Sequence, residues 1–182
     1  TQIATARAGN VIGGGDFATD RLIPDLIKSI LQGKKLILRN PMAIRPWQHV
    51  LDPLWGYMTL AYHLYHKPGK FDTAWNFGPE SDEAQTVLEI VRMMKDSLSL
   101  RNKSGNKSLL FPGYGITKIR GAHEANYLKL DISQSKTYLQ WKPTWTIAQA
   151  LSEILDWTET YAINGNILAK TMKQINKFQE LI

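Results

Sequence analysis

Helix starts recur along this chain, and short apolar segments lie between them. Thr86 with Glu89, Asp131 with Gln134 and Thr146 with Gln149 each have the spacing of a capping box. Asp52-Pro53 is a further start, with a carboxylate to cap orphan amides and a proline at the first helical position. These signals predict helices over residues 52–66, 86–98, 131–139 and 146–163. Another is predicted over 22–31, where Pro24 falls in the first turn and Gly33 stops the run. Pro68-Gly69 ends the second helix. Short strands are predicted at 3–8, 36–38, 47–51, 74–77, 109–111 and 126–130, with a polar loop over 102–107. A chain that alternates in this way folds as α/β or α+β. Beyond Asn164 the sequence is polar and weakly periodic, and reads as a loose or frayed helix.

Composition narrows the function classes. A length of 182 residues can bury a real core. There is no cysteine, which excludes disulfides and thiolate chemistry and fits a reducing, cytoplasmic setting. No apolar run approaches the roughly 18 residues of a membrane helix, so no membrane partner is expected. The net charge of +6 invites either a nucleic acid or an acidic small molecule. The lysines are scattered, and no basic stripe interleaved with aromatics appears. Nucleic acid is therefore not expected as a partner, although a noncatalytic basic binding module stays an alternative.

Several motifs look like chemistry and fail on context. Residues 13–18, Gly-Gly-Gly-Asp-Phe-Ala, fit the dinucleotide fingerprint in form. That fingerprint needs a helix opening at once, whereas Asp16 and Asp20 bring negative charge and Pro24 places the helix later. No acidic residue follows about 20 positions on to take a ribose hydroxyl. Tyr114 and Lys118 have Y-x-x-x-K spacing, as do Tyr138 and Lys142. The first pair sits among Pro112, Gly113 and Gly115, which predict a loop, and Pro143 closes the second. His63 and His66 stand three apart on a predicted helix with no carboxylate at helical spacing, so they read as packing or surface residues and no metal site is expected.

Arg21, Arg45 and Arg120 each lie at the end of a predicted element. Guanidinium groups offer planar forks that bind phosphate bidentately, and arginines at element ends can converge on one cleft. Each is equally open to a surface ion pair. Asn10 and Asn76 end strands, where an amide can hold a sugar or phosphate oxygen or cap its own turn.

Taken in order, these pieces resemble the C-terminal part of the extended short-chain dehydrogenase/reductase enzymes that act on nucleotide-sugars. The resemblance is carried by Arg7-Ala8-Gly9-Asn10-Val11-Ile12-Gly13, by Arg21-Leu22-Ile23-Pro24 and by Arg45-Pro46-Trp47-Gln48-His49-Val50-Leu51-Asp52. It continues through Asn76-Phe77-Gly78, Arg120, Asp131, Ser133, Lys136, Leu139, Trp141 and Pro143. It covers about residues 3–162. It implies an α/β fold that is mostly the small α+β substrate-binding domain, with the last strands of a Rossmann domain. Residues 1–163 would form the nucleotide-sugar-binding portion and 164–182 a C-terminal tail, with the cofactor-binding half absent.

Within the family the segments are most similar to 4,6-dehydratases, and the implied substrate is CDP-glucose. Another nucleotide-sugar epimerase or dehydratase is the alternative. By the resemblance, Asn10 would touch the sugar-diphosphate and Arg21 and Leu22 would flank the nucleotide. Ile37 and Arg39 would line the base pocket, Arg45 and Arg120 would clamp the diphosphate, and Asn76 would lie beside base or ribose. His123 and Glu124 match the sugar-side segment. The family reaction is NAD-dependent: oxidation at the sugar C4, loss of water across C5–C6, then hydride return to C6. The main NAD motif and the catalytic Tyr-x-x-x-Lys are missing from this chain. No catalytic residue is therefore assigned, NAD is not expected to bind the chain well, and the chain alone is expected to be inactive. The resemblance also implies that the full-length parent is a homo-oligomer.

Overall fold

A computed structural model of the chain describes residues 1–103, 109–117 and 127–182. The described residues form six α-helices, one short 3-10 helix (Ser81–Glu83) and four two-stranded pairings. Strand β1 (Thr5–Ala8) pairs parallel with β6 (Ala74–Phe77), and β2 (Asn10–Ile12) parallel with β5 (Trp47–His49). Strand β3 (Leu36–Leu38) pairs parallel with β8 (Tyr114–Ile116), and β4 (Ile44–Arg45) antiparallel with β7 (Gln85–Thr86). Parallel neighbours need crossovers, and the helices supply them.

The helices form largely where the caps and apolar spacing place them. Helix α1 (Leu22–Gln32) buries Ile23, Leu26, Ile27 and Ile30, one stripe at three- and four-residue spacing. It closes at Gly33, whose left-handed φ of 66° lets its N–H return to the Ile30 and Ser29 carbonyls. Helix α5 (Ile147–Ala162) carries the complete Thr146–Gln149 box. Helix α3 (Val87–Lys103) carries the Thr86–Glu89 box: the Glu89 carboxylate accepts from the Thr86 N–H at 2.7 Å, and Thr86 Oγ1 accepts from the Glu89 N–H at 3.1 Å. The inner faces of α1, α3 and α5 meet Leu36, Leu38 and Trp47 in the larger core. Phe77, Trp75 and Trp141 centre a second core under α2 (Leu51–His66) and α4 (Ser133–Leu139).

Several expectations need correction. Asp52 does not cap α2; it lies inside the first turn, and its carboxylate accepts instead from the Thr144 N–H at 2.6 Å. The Asp131–Gln134 box does not form: Ile132 is the N-cap, and Asp131 accepts from the Ser133 N–H at 2.9 Å. Helix α3 runs to Lys103 instead of stopping at Leu98, because Arg101 is anchored across it on α5, to Asp156, Glu159 and the Ser152 carbonyl. The strand expected at 109–111 is absent, and residues 114–116, expected as loop, pair with β3 instead. Leu109 reaches the core without a neighbouring strand. Of the strand expected at 126–130, Tyr127 makes a single bridge to Ile44 and 128–130 are irregular, while residue 126 lies outside the described residues.

Residues after Asn164 are not frayed. They form α6 (Ile167–Gln179), capped by the Asn166 side chain, with Gln174 and Phe178 buried. Among the described residues no helix is long and apolar enough to cross a membrane.

Candidate functional site

A cleft of about 490 Å³ opens where β2, the 16–20 loop, the first turn of α1 and the end of β3 meet. Each element presents its side chains for a local reason. In β3, Leu36 and Leu38 point into the core, so the intervening Ile37 points out and is 59% exposed. Ile37 and Arg39 both line the cleft. Arg21 is the N-cap of α1, extended at φ −122°, and Leu22 follows as the first helical residue. Pro24 sits in that first turn, where a missing N–H breaks no helical bond. Arg45 is buried on β4, and its Nη1 donates to the Ile44 carbonyl at 2.9 Å.

Asn10, Arg21, Leu22, Ile37, Arg39 and Arg45 therefore share one hollow. Asn76 does not line it: on β6 its Nδ2 donates to the Asp131 carbonyl at 3.0 Å. Arg120, His123 and Glu124 lie outside the described residues. Trp47, which stands out in the sequence only as part of the Arg45–Asp52 motif, and Val87, which does not stand out there, also line the cleft. The Trp47 Nε1 donates to the Gln85 carbonyl at 3.1 Å.

The cleft is lined by charges of both signs. The Asp16 carboxylate accepts from Arg21 Nη1 at 3.3 Å and from the Ala18 N–H at 3.0 Å. Asp20, in the left-handed region at φ 61°, pairs with Arg39 at 2.9 Å. Lys28 Nζ donates to the Ala18 carbonyl at 3.3 Å and holds the loop from below. Burial raises the pKa of Asp25 at the cleft wall, against the lowering effect of Lys28. In the sequence, Asp16 and Asp20 stand out only as charges hostile to phosphate. The missed signal is their spacing from Arg21 and Arg39, which lets each carboxylate hold a guanidinium at the rim.

The triple-glycine loop is shaped for a ring. A Cβ at residue 14 would lie 2.3 Å from Trp157 Cγ on α5, so the indole packs directly on the Gly14 backbone. The next helix begins only at Leu22. The loop does not fit a dinucleotide cofactor. Tyr114 and Ile116 lie on a strand, Lys118 is outside the described residues, and α4 ends at Leu139, before Lys142. On α2, His63 stacks on Phe71 at 4.6 Å, and both His63 and His66 touch Tyr62. Among the described residues no three His, Cys, Asp or Glu side chains group as metal ligands.

No protein-family model matches the chain. It is 41% identical over 176 residues to a CDP-glucose 4,6-dehydratase of Salmonella typhimurium, an alignment covering 97% of this chain and 46% of that protein. The chain thus spans about half the length of the curated relative it matches. Its fold superposes on a UDP-glucose-4-epimerase of Stenotrophomonas maltophila solved with NAD and formylated UDP-arabinopyranose. The TM-score is 0.71 at 15% identity, over 90% of this chain and 49% of that one. A dTDP-glucose 4,6-dehydratase of Bacillus anthracis, solved with NAD, matches at TM-score 0.65 and 23% identity, over 86% and 44%. In sequence the chain is similar to a CDP-glucose 4,6-dehydratase, and in fold it matches about half of a Rossmann-type extended short-chain dehydrogenase/reductase of the nucleotide-sugar kind.

Proposed function

We propose that the cleft holds the nucleoside diphosphate of a nucleotide-sugar, CDP-glucose, and that this chain is the substrate-binding portion of a CDP-glucose 4,6-dehydratase. The observation that carries the reading is the gathering of Arg21, Arg39 and Arg45 from three separate segments around one hollow. A pyrophosphate must be neutralised to leave water, and guanidinium forks do so while fixing its orientation. Arg45 clamps the diphosphate, a role that the resemblance also gives to Arg120, and Arg21 flanks the nucleotide. Asn10 bonds the sugar-diphosphate, Ile37 and Leu22 give apolar faces to the nucleoside, and Arg39 reads the base edge. Asn76, whose amide is held by the Asp131 carbonyl away from this hollow, is given no contact with the diphosphate, and the resemblance alone assigns Glu124 to the sugar. NAD and the groups that move protons belong to the rest of the parent, since this chain carries neither the main NAD motif nor the catalytic Tyr-x-x-x-Lys in its proper context.

Calorimetry of the purified chain with CDP, UDP and dTDP tests the reading. CDP is expected to bind most tightly. A chain that binds no nucleoside diphosphate, or that binds oligonucleotides with steep salt dependence instead, overturns it. Dehydratase activity in the purified chain alone would overturn the assignment of the chemistry to the remainder.

A further inference from the structure

Trp157 does not line the cleft, yet it sits between the cleft rim and the C-terminal helix. One face of the indole presses on bare backbone. A Cβ at Gly14 would meet Trp157 Cγ at 2.3 Å and Cδ2 at 2.6 Å, and one at Gly15, where φ is +81°, would meet Cζ2 at 3.2 Å. Phe17 continues the contact, with its ring centroid 6.4 Å from Trp157 and 5.3 Å from Tyr161. Tyr161 stacks on Trp157 at 5.5 Å and 13°. At its other edge, Trp157 Nε1 donates to Thr171 Oγ1 of α6 at 3.3 Å. Helix α6 is itself fixed to α5, because Gln174 donates to the Glu153 carbonyl at 2.7 Å and Lys170 pairs with Asp156 at 3.2 Å.

On the cleft side the same loop carries Asp16, Asp20 and Arg21. An indole laid directly on the Gly14 and Gly15 backbone fixes that loop only while both surfaces keep their shape. We propose that Trp157 is a positioning residue: it sets the place of the 13–21 rim, and through Thr171 it makes the cleft's affinity for a nucleoside diphosphate depend on the docking of α6. This rests on the nucleotide reading of the cleft, but the holding of the loop can be read without any ligand.

The test uses the 182-residue chain, hydrogen exchange of the 13–21 amides without nucleotide, and CDP calorimetry. Truncating Trp157 alone endangers the fold, so the leading variant is Gly14→Ala, which drives a methyl into the ring and leaves the core residues unchanged. It is expected to speed rim exchange by about tenfold, with the α3 amides unchanged, and to weaken CDP binding by about five- to tenfold. In a Trp157→Leu background the same alanine should change either reading by less than about twofold, because the ring it strikes is gone. Trp157→Phe keeps a ring but loses the bond to Thr171, and should fall between wild type and Trp157→Leu. Rim exchange unmoved by Gly14→Ala, or an equal effect with and without the indole, overturns the proposal. If the wild-type chain binds no CDP, the nucleotide reading falls, and rim exchange still decides the role of Trp157.

Discussion

The Asp52 carboxylate accepts a hydrogen bond from the Thr144 N–H at 2.6 Å, joining the first turn of α2 to the approach of α5 across 92 positions of sequence. Burial pushes its pKa up from 3.8 to about 6, aided by Glu83 and opposed by the amides of Thr144 and Trp145. Nearby, burial pushes His49 down from 6.5 to about 4, while its ring meets Trp145 edge-on at 4.5 Å.

These two shifts give opposite slopes of stability against pH. Between pH 3.8 and about 6 the folded Asp52 keeps a proton that the unfolded chain has lost, so its contribution falls as pH rises. Between about pH 4 and 6.5 the folded His49 has lost a proton that the unfolded chain keeps, so its contribution rises with pH. Each amounts to about 3 kcal/mol and they largely cancel. Urea denaturation of His49→Phe should therefore lose stability from pH 4 to 6 relative to wild type, and Asp52→Asn should gain it. Parallel pH profiles for all three proteins would refute the assignment.

What was legible in the sequence was local. The boxes at Thr86 and Thr146 need only residues three positions apart, and both formed. Strand β8 was not legible, because Tyr114–Ile116 becomes a strand only by pairing with β3, far away in the chain, while Pro112 and Gly113 beside it signal a turn. Asp52 carries a capping signal, yet a distant amide takes its carboxylate. Helix α6 buries little of its own surface, and what docks it is spread over α5: Glu153, Asp156 and Trp157. At the cleft, the arginines were visible as residues at element ends. The carboxylates that hold Arg21 and Arg39 in place were visible only as charges, since the contact depends on how the 16–20 loop turns.

Asp20 and Arg39 form an exposed pair at 2.9 Å, with half or more of each side chain open to water. Such pairs are worth under about 1 kcal/mol. Asn tolerates the left-handed φ of 61° found at this position, so Asp20→Asn removes the charge without redrawing the loop. If Arg39 faces a bound nucleotide, the variant should bind CDP about two- to threefold more tightly at low salt, and the gain should shrink as salt is added. Calorimetry at two ionic strengths reads this, and weaker binding by Asp20→Asn would contradict it.

Arg45 differs from Arg21 and Arg39 in being buried, only 7% exposed, at the cleft wall. A guanidinium there meets a phosphate with little competing water. Arg45→Lys keeps the charge but loses the planar fork, and should weaken CDP binding about tenfold. Arg45→Met should cost about a hundredfold, while cytidine, which lacks phosphate, should bind both variants as it binds wild type. Equal losses for CDP and cytidine would mean that Arg45 holds the cleft's shape instead of the diphosphate.

Phe178 is buried against Trp145, just before α5, at 5.3 Å, whereas α6 holds α5 itself by polar contacts: Lys177 with Glu153, Lys170 with Asp156, Gln174 with the Glu153 carbonyl and Thr171 with Trp157. The apolar contact should dominate the docking. Phe178→Ala should cost about 3 kcal/mol, and Lys177→Met under about 1 kcal/mol. Because α6 buries only Gln174 and Phe178 of its own residues, the loss in Phe178→Ala should appear as local opening: its amides exchange faster, while Ile154 and Leu155, in the larger core, keep their protection. Lys177→Met loosening α6 as much as Phe178→Ala would show that charge holds the helix. Equal loss of protection in α5 would show that the two helices open as one unit, in which case the seat of Trp157 and the rim it supports would unfold together with them.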